Sequence, residues 1–305
     1  MNNKMWFGVA AGCFALSAQA QFGAEPAKLD LIKVQDDVYV IHNAYVPGNT
    51  TALITNDGVI LVDDKFEIDA DNIVALLKTV TNQPIKYVIN THYHADHTYG
   101  TSLFRGAEVV AHHKCRELLD TIGRKGLKEA KADNAALEKV EVVLPDLVFS
   151  HGQLELHLGK KTLTLNHSPG HSPDSITVLV KEDRILFAGD TMMPLPYFVD
   201  GDIDDIYRSL QAIPPMGLEN IVQGHGEVIL RGEIDDAVRS NLRYLDNIRR
   251  KIERHMSKKK SREEALEIDI ESCGKSRIPL SGLVAKLHQR NILALFDQYT
   301  KKKPK

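Results

Sequence analysis

Cysteine is scarce in this sequence, with 3 residues among 305, and tryptophan occurs once. No two cysteines form a C-x-x-C pair, which excludes a dithiol redox motif and a cysteine-based zinc knuckle. Cys115 and Cys273 are the two cysteines that follow the N-terminal segment, and an oxidising compartment would permit a disulfide between them. We expect two separate buried thiols, although the spacing leaves their pairing open.

Excess charge of one sign is also lacking, since 38 basic residues against 41 acidic ones give a net charge of −3. This balance gives no electrostatic case for binding nucleic acid. We expect a small-molecule substrate. No stretch after the N-terminal segment reaches the roughly 20 apolar residues that a membrane span needs. The sequence does not predict an oligomeric state.

The first twenty residues have the three-part pattern of a secretory signal peptide. Lys4 is their only charge, an apolar run covers residues 5–16, and Ala18-Gln19-Ala20 offers a cleavage site before Gln21. A membrane anchor is disfavoured because the apolar run is short. Lipidation at Cys13 is a second alternative. We therefore predict a signal peptide over residues 1–20 and an exported protein, periplasmic in a Gram-negative cell.

Hairpin strands at the start, followed by strands that alternate with helices, predict mixed sheets covered by helices, an α/β (α+β) arrangement. The predicted strands are Val38–His42, Thr50–Thr55, Gly58–Val62, Ile85–Ile89, Glu108–Ala111, Thr162–Asn166, Ser175–Val180, Arg184–Ala188 and Asn220–Val222. Helices are predicted around 73–80, 97–104, 114–130 and 204–213. Apolar residues at helical spacing after residue 230 predict two further helices. We therefore divide the chain into a domain over residues 21–230 and a helical extension over residues 231–305.

The segment Thr91-His92-Tyr93-His94-Ala95-Asp96-His97 carries the clearest chemical signal. It follows the predicted buried strand Ile85–Ile89, and His92 and His94 point to the same side if the backbone is extended. Three imidazoles and a carboxylate within six residues suit Zn²⁺, which accepts histidine nitrogen and aspartate oxygen. An exposed polar loop is the alternative, but neutral imidazoles have no packing reason to cluster.

The H-x-H-x-D-H run resembles the signature of the metallo-β-lactamase superfamily, whose other four motifs also have matches in order. They are Asp63 after Ile60-Leu61-Val62, His171 in Pro169-Gly170-His171-Ser172, Asp190 in Ala188-Gly189-Asp190-Thr191, and His225 in Gly224-His225-Gly226. Each motif follows a predicted strand, and together they make the resemblance specific. It covers roughly residues 30–230 and implies a four-layer αβ/βα sandwich, to which the C-terminal helices are added.

The resemblance also implies two Zn²⁺ ions, with iron or manganese as alternatives, and assigns their ligands. His92, His94 and His171 would hold the first ion, Asp96, His97 and His225 the second, and Asp190 would bridge both. Asp63 would orient a ligand imidazole rather than bind metal. Asp96 would act as the catalytic residue that orients a metal-bridging hydroxide. His167, four residues before His171, is a competing ligand that we rank second because Pro-Gly-His-Ser matches the motif.

An aspartate at the fourth motif is similar to that of thioester hydrolases, lactonases and related dinuclear enzymes, whereas β-lactamases proper usually carry another residue there. A signal peptide with Gly189-Asp190 makes the chain most similar to exported quinoprotein relay-system metallohydrolases. Its C-terminal helices are similar to those of glyoxalase II-like enzymes. The resemblance thus implies a zinc-dependent hydrolase of a lactone, thioester, ester or amide, with possible β-lactam turnover.

Three alternatives are an iron-dependent oxidoreductase on the same ligands, a β-lactamase proper, and a non-catalytic periplasmic binding or scaffold protein, against which the complete ligand set argues. Tyr197 and Phe198, shortly after Asp190, are candidates for an apolar wall of the substrate pocket, and a packed core loop is the alternative for them. The loop 192–200 and the turn 46–50 are the segments expected to set substrate preference.

Overall fold

A computed structural model of the protein describes residues 28–43 and 48–302. The predicted signal peptide, including Cys13, lies outside the described residues, as do residues 46 and 47 of the predicted turn. In the described residues, no helix combines the length and the apolar character that a membrane crossing requires. Cys115 and Cys273 are buried free thiols, in agreement with the prediction of two separate cysteines.

The first sheet contains seven strands in sequence order. Its first four strands are antiparallel and its last four are parallel, so β4 belongs to both kinds of pair. The strands are β1 (Asp30–Gln35), β2 (Val38–His42), β3 (Thr50–Thr55), β4 (Gly58–Val62), β5 (Ile85–Ile89), β6 (Glu108–His112) and β7 (Leu147–Phe149).

The second sheet contains six strands in the order β13-β12-β11-β10-β9-β8. All of its neighbours are antiparallel except β11 and β12, which run parallel. The strands are β8 (Gln153–Leu158), β9 (Lys161–His167), β10 (Ile176–Val180), β11 (Ile185–Gly189), β12 (Asn220–Gln223) and β13 (Ile229–Leu230).

Seven α-helices are described in these residues. They are α1 (Glu67–Leu77), α2 (Ala95–Thr98), α3 (His113–Leu118), α4 (Arg124–Asp133), α5 (Ile203–Gln211), α6 (Ile234–Ser257) and α7 (Leu283–Lys302). A π-helical segment, Leu119–Gly123, joins α3 to α4.

Alternating side chains make each sheet apolar on both faces. In β4, Ile60 and Val62 face the second sheet, while Val59 and Leu61 pack with α1. The second sheet is also apolar on both faces, because Phe187 of β11 points into the inter-sheet core and Leu186 packs with the C-terminal helices. Strands buried on both faces require helices outside both sheets. The structure therefore confirms the four-layer αβ/βα sandwich and the C-terminal helical region.

The helices α6 and α7 do not form a separate core. Their buried residues share one cluster with α5 and with the segment that follows Asp190, including Tyr244 and Leu295 from the helices and Phe198 from that segment. Burying a large apolar side chain contributes about 1.5–3 kcal/mol. The C-terminal helices are thus integral to the outer layer of the second sheet.

Several predicted elements need correction. The helix predicted over 97–104 is only the short α2 followed by a 3₁₀ turn, Thr101–Leu103. A Cβ at Gly100 would lie 2.2 Å from the carbonyl oxygen of Asp64, and this close approach separates the two turns. The strands β1, β7, β8 and β13 were missed; all four lie at or near a sheet edge, where burial leaves a weaker pattern.

Candidate metal centre

The five predicted motifs meet at one edge of the sandwich. Asp63 follows β4 and the His92–His97 segment follows β5, and these two strands are parallel neighbours. Asp190 follows β11 and His225 follows β12, which are the parallel pair of the second sheet. His171 lies between β9 and β10. Carboxyl ends of parallel strands lie together, so residues far apart in sequence are brought into one site.

The first cluster contains four side chains that could hold one metal ion: His92, His94, His171 and Asp190. His94 Nδ1 lies 3.0 Å from His92 Nε2 and 3.0 Å from His171 Nε2. Asp190 Oδ2 lies 3.4 Å from His171 Nε2 and 4.0 Å from His92 Nε2. Such short separations between donor atoms suit a shared cation with metal–ligand distances of about 2 Å.

The outer nitrogen of each imidazole shows which nitrogen carries the proton. His171 Nδ1 lies 2.8 Å from the Tyr197 carbonyl oxygen, which can only accept a hydrogen bond. Nδ1 therefore carries the proton of the neutral ring, and His171 Nε2 carries a lone pair. His94 Nε2 donates to Asp200 Oδ2 at 3.1 Å, so the lone pair of the neutral ring is on His94 Nδ1. Three lone pairs therefore face one another once His92 is included, an arrangement that only a cation makes favourable.

Asp63 orients two imidazoles, His97 by a direct hydrogen bond and His92 through the Thr91 hydroxyl. His97 Nδ1 donates to Asp63 Oδ2 at 2.7 Å. The Thr91 hydroxyl donates to the same oxygen at 2.7 Å and accepts from His92 Nδ1 at 3.0 Å. The Thr91 amide donates to Asp63 Oδ1 at 2.7 Å. Asp63 thus lies behind the ligand set and turns the Nε2 atoms of two imidazoles inward.

The second cluster contains Asp96, His97 and His225, whose ligand atoms could also hold one ion. His225 Nε2 lies 3.3 Å from Asp96 Oδ2 and 3.4 Å from His97 Nε2. Asp190 reaches this cluster as well, with Oδ1 at 3.4 Å from His97 Nε2 and Oδ2 at 3.6 Å from His225 Nε2. Asp190 is therefore placed between the two clusters.

The hydrogen bonding of the carboxylates fits two metal ions. Both oxygens of Asp96 and both of Asp190 are buried, and none has a hydrogen-bond partner among the described residues. A buried carboxylate without partners costs several kcal/mol of desolvation, on the order of the penalty for a bare buried ion. Binding to a cation removes this penalty, so the donor set and its unpaired oxygens suit Zn²⁺.

Opposite charges inside the two clusters shift the pKa values of their side chains. Burial would lower the pKa of His97, but the carboxylates of Asp190, Asp96 and Asp63 outweigh it and raise that pKa to about 10. Burial also acts against ionisation of Asp190, yet the neighbouring His225, His97 and His171 lower its pKa. Burial lowers the pKa of His171 to about 4. The site therefore demands positive charge close to His97 and Asp190.

A tight contact fixes the Asp190 carboxylate between the two clusters. A Cβ on Gly224 would lie 1.8 Å from Asp190 Oδ1, so only glycine fits directly before His225. Asn49 at the start of β3 holds the same loop, because its Nδ2 donates to the carbonyl oxygens of Gln223 at 2.9 Å and Gly226 at 2.8 Å. The loop carrying His225 is thereby tied to both sheets.

The two predicted substrate-pocket residues, Tyr197 and Phe198, are buried. Tyr197 and Phe198 are 1% and 0% exposed and pack in the core against the C-terminal helices. This placement agrees with the packed-loop alternative, and Tyr197 contacts His171 both through its backbone carbonyl oxygen and through its ring, whose centroid lies 5.9 Å from that of the imidazole. Direct contact of either side chain with a substrate stays a prediction.

The competing histidine His167 belongs to neither cluster. Its ring stacks on His112, with centroids 4.0 Å apart and planes 8° apart, and its Nε2 donates to the Pro173 carbonyl oxygen at 2.9 Å. Sequence reasoning missed Asp200, Thr91 and Asn49. Thr91 lies inside the quoted motif, Asp200 ends the loop 192–200, and Asn49 lies in the turn 46–50, but no sequence pattern indicated that any of the three contacts the site.

Comparison with known proteins agrees with this geometry. A family model described as the metallo-beta-lactamase superfamily matches residues 44–225. A beta-lactamase-like protein 2 homolog of Caenorhabditis elegans is 30% identical over 227 residues, which are 73% of this chain and 69% of that protein. The human acyl-coenzyme A thioesterase MBLAC2 is 30% identical over 155 residues, 45% of this chain. The chain spans about half (54%) of that thioesterase's length.

Solved structures share the fold at lower identity. A metallo-beta-lactamase from Pontibacter korlensis has a TM-score of 0.57 at 20% identity and covers 72% of this chain and 100% of its own. The sec-alkylsulfatase Pisa1 from Pseudomonas sp. has a TM-score of 0.71 at 14% identity, covering 94% of this chain and 55% of its own. The relatives above include hydrolases, such as the acyl-coenzyme A thioesterase. The family match, the relative from Caenorhabditis elegans, the fold and the histidine and aspartate clusters together show that the chain belongs to the metallo-beta-lactamase superfamily.

Proposed function

We propose that the protein is an exported dinuclear zinc hydrolase that cleaves a carboxyl derivative, with thioesters, esters or lactones preferred over amides. The observation that carries the proposal is the pair of buried clusters that share Asp190. Export is supported by the signal-peptide pattern of residues 1–20. When bound, two zinc ions would supply a water of lowered pKa and would polarise the carbonyl group of the substrate.

Two aspartates determine the net charge of the proposed centre, and one of them orients the attacking water. Asp96 and Asp190 bring only two negative charges to the centre, so with two divalent cations and one hydroxide the centre would have a net positive charge. That charge would stabilise an oxyanion developing at a carbonyl carbon under attack. Among the residues that the structure describes, neither oxygen of Asp96 has a hydrogen-bond partner, and Asp96 lies beside His225. We propose that it accepts a hydrogen bond from the attacking water and so orients it.

The preference for oxygen and sulfur leaving groups follows from their basicity, because an unprotonated amine is expelled less readily than an alkoxide or a thiolate. Relatives described as thioesterases support the same substrate class. They are the acyl-coenzyme A thioesterase MBLAC2 and, at 23% identity over 73% of this chain, an atrochrysone carboxyl ACP thioesterase from Aspergillus fumigatus. Strained β-lactams fall between the two groups, since opening the ring relieves strain.

A substrate series with one acyl group tests this preference. We expect kcat/KM for thiophenyl acetate and phenyl acetate to exceed that for acetanilide by two orders of magnitude or more, about 3 kcal/mol in activation free energy. A lactone and a cephalosporin should be measured on the same zinc-loaded sample. A cephalosporin value far above the others would identify a β-lactamase proper, and oxygen consumption by the iron-loaded protein without hydrolysis would identify an oxidoreductase.

Asp190→Asn tests the bridge. The amide retains the shape required beside Gly224 but removes a negative charge between two cations. We expect the variant to fold, to lose zinc chiefly from the Asp96, His97 and His225 cluster, and to lose several orders of magnitude in turnover. Zinc content from elemental analysis and kcat measure both effects. A wild-type zinc content and rate would exclude Asp190 as the bridge.

The matched pair His171→Ala and His167→Ala tests the choice of histidine. His171 Nε2 faces His94 and Asp190, whereas the His167 ring stacks on His112. We expect His171→Ala to lose metal from the first cluster and His167→Ala to retain two zinc ions. The reverse result would assign the ligand to His167.

Zinc binding should release protons, because the metal-free site holds one on His97. With a pKa of about 10 for His97, this proton remains bound at pH 8 and must leave before Nε2 can bind zinc. Zinc affinity should therefore rise with pH, about tenfold per unit for each proton released. A pH indicator in weak buffer should report about one proton or more per chain during zinc titration. Calcium, which prefers oxygen ligands, is the control, and absence of release with zinc would contradict the assignment.

A further inference from the structure

The C-terminal helices hold the backbone of the segment that orients the first cluster. We call residues 191–200, between β11 and α5, the metal loop. Asn291 of α7 is fully buried, and its Oδ1 accepts from the Phe198 amide at 3.2 Å while its Nδ2 donates to the Pro196 carbonyl oxygen at 2.8 Å. The Asn291 side chain therefore bonds to the residues on both sides of Tyr197.

The metal loop contacts two imidazoles of the first cluster. The Tyr197 carbonyl oxygen accepts from His171 Nδ1 at 2.8 Å, and the Asp200 carboxylate accepts from His94 Nε2 at 3.1 Å. Both contacts fix the ring plane and leave the opposite nitrogen facing the cluster. A shift of the metal loop would rotate both rings, so the position of this backbone sets the geometry of the first metal site.

The Asn291 amide is itself held in one orientation by a directed chain of hydrogen bonds. His288 Nε2 donates to the Ile268 carbonyl oxygen at 2.8 Å, so His288 Nδ1 accepts from the Tyr244 hydroxyl at 2.9 Å. The Tyr244 oxygen then accepts from Asn291 Nδ2 at 3.1 Å. Reversing the amide would place its oxygen against the Pro196 carbonyl oxygen, which is unfavourable.

A second anchor lies nearer to the start of the metal loop. Asn241 of α6 is buried, and its Nδ2 donates to the Met193 carbonyl oxygen at 3.0 Å. Lys275 Nζ donates to Asn241 Oδ1 at 2.5 Å, which orients this amide as well. Two buried asparagines thus bond to the backbone of the metal loop from two helices.

We propose that Asn291 is a positioning residue, through which the C-terminal helices set the orientation of His171 and hence the affinity of the first cluster for its metal. The proposal rests on the metal-binding role proposed above. A residue needed only to fill space would be leucine here, since a buried amide is tolerated only when its bonds are made. Every polar atom of the Asn291 side chain makes such a bond, and two of these bonds go to the metal loop.

The test is a zinc titration of Asn291→Leu, which keeps the side-chain volume and removes both bonds to the metal loop. It is made in a His225→Ala background, because that change disables the second cluster and leaves the four ligands of the first. We expect zinc affinity to fall about 10–100-fold relative to His225→Ala alone. The visible absorption spectrum of the cobalt-loaded protein should change in parallel, because it reports the ligand geometry.

Asn247→Leu is the matched control. Asn247 lies on α6 in the same extension, and its Nδ2 donates to the Cys273 carbonyl oxygen at 3.0 Å without contacting the metal loop. We expect Asn247→Leu to lower the melting temperature while leaving the zinc affinity and the cobalt spectrum unchanged. An equal loss of affinity in both variants would reduce the effect to general destabilisation and overturn the proposal.

Tyr244→Phe keeps the proposal testable if Asn291→Leu does not fold. This change removes one bond to the Asn291 amide, and we expect zinc affinity to fall about threefold or more, in line with the value of a single hydrogen bond. Tyr244→Phe is made in the same His225→Ala background. A zinc affinity equal to that of His225→Ala alone, in Tyr244→Phe or in a folded Asn291→Leu, would contradict the proposal. Because these titrations do not depend on turnover, an inactive protein with the expected affinities would refute the hydrolase function alone.

Discussion

The convergence of imidazole lone pairs at the first cluster is the constraint on which the rest of the structure depends. His94 Nδ1 lies 3.0 Å from a ring nitrogen of His92 and 3.0 Å from one of His171. Hydrogen bonds on the outer sides of the rings force these inner nitrogens to be acceptors. Acceptors this close repel one another unless a cation lies between them, so the fold places its ligands in an arrangement that only metal, or protons, can complete.

The two sheets supply that arrangement because their parallel strands end at the same edge. Asp63 and the His92–His97 segment come from the first sheet, and Asp190 and His225 from the second. Strands packed on both faces leave little room to adjust these ends. Loops after the strands can then place charged groups that the core could not hold. The asparagine contacts from β3, α6 and α7 add directional bonds to this packing.

Much of this centre could be predicted from sequence because its signals are local. The ligand motifs are short, and each directly follows an apolar run, so the strand and the ligand appear together. The helix around His97 was overestimated because the contact of Gly100 with the Asp64 backbone is non-local. Strand β8 was missed although Gln153–Leu158 alternates polar and apolar residues, which is the pattern of a half-buried strand.

The supporting contacts were harder to predict, since they join distant positions. Asn291 bonds to Phe198 across 93 residues, and Asn49 bonds to Gln223 across 174. An asparagine on the buried side of an amphipathic helix carries no sequence pattern that indicates its hydrogen-bond partner. The division at residue 230 followed a change in composition, yet α6 and α7 share a core with the metal loop. Composition alone did not reveal the contacts of these helices with the site.

Diffraction from zinc-loaded crystals, collected on both sides of the zinc absorption edge, tests the central claim most directly. The account predicts two anomalous peaks per chain, one among His92, His94 and His171 and one among Asp96, His97 and His225, with Asp190 in contact with both. No peak at this edge of the sandwich, or a peak beside His112 and His167 instead, would contradict it.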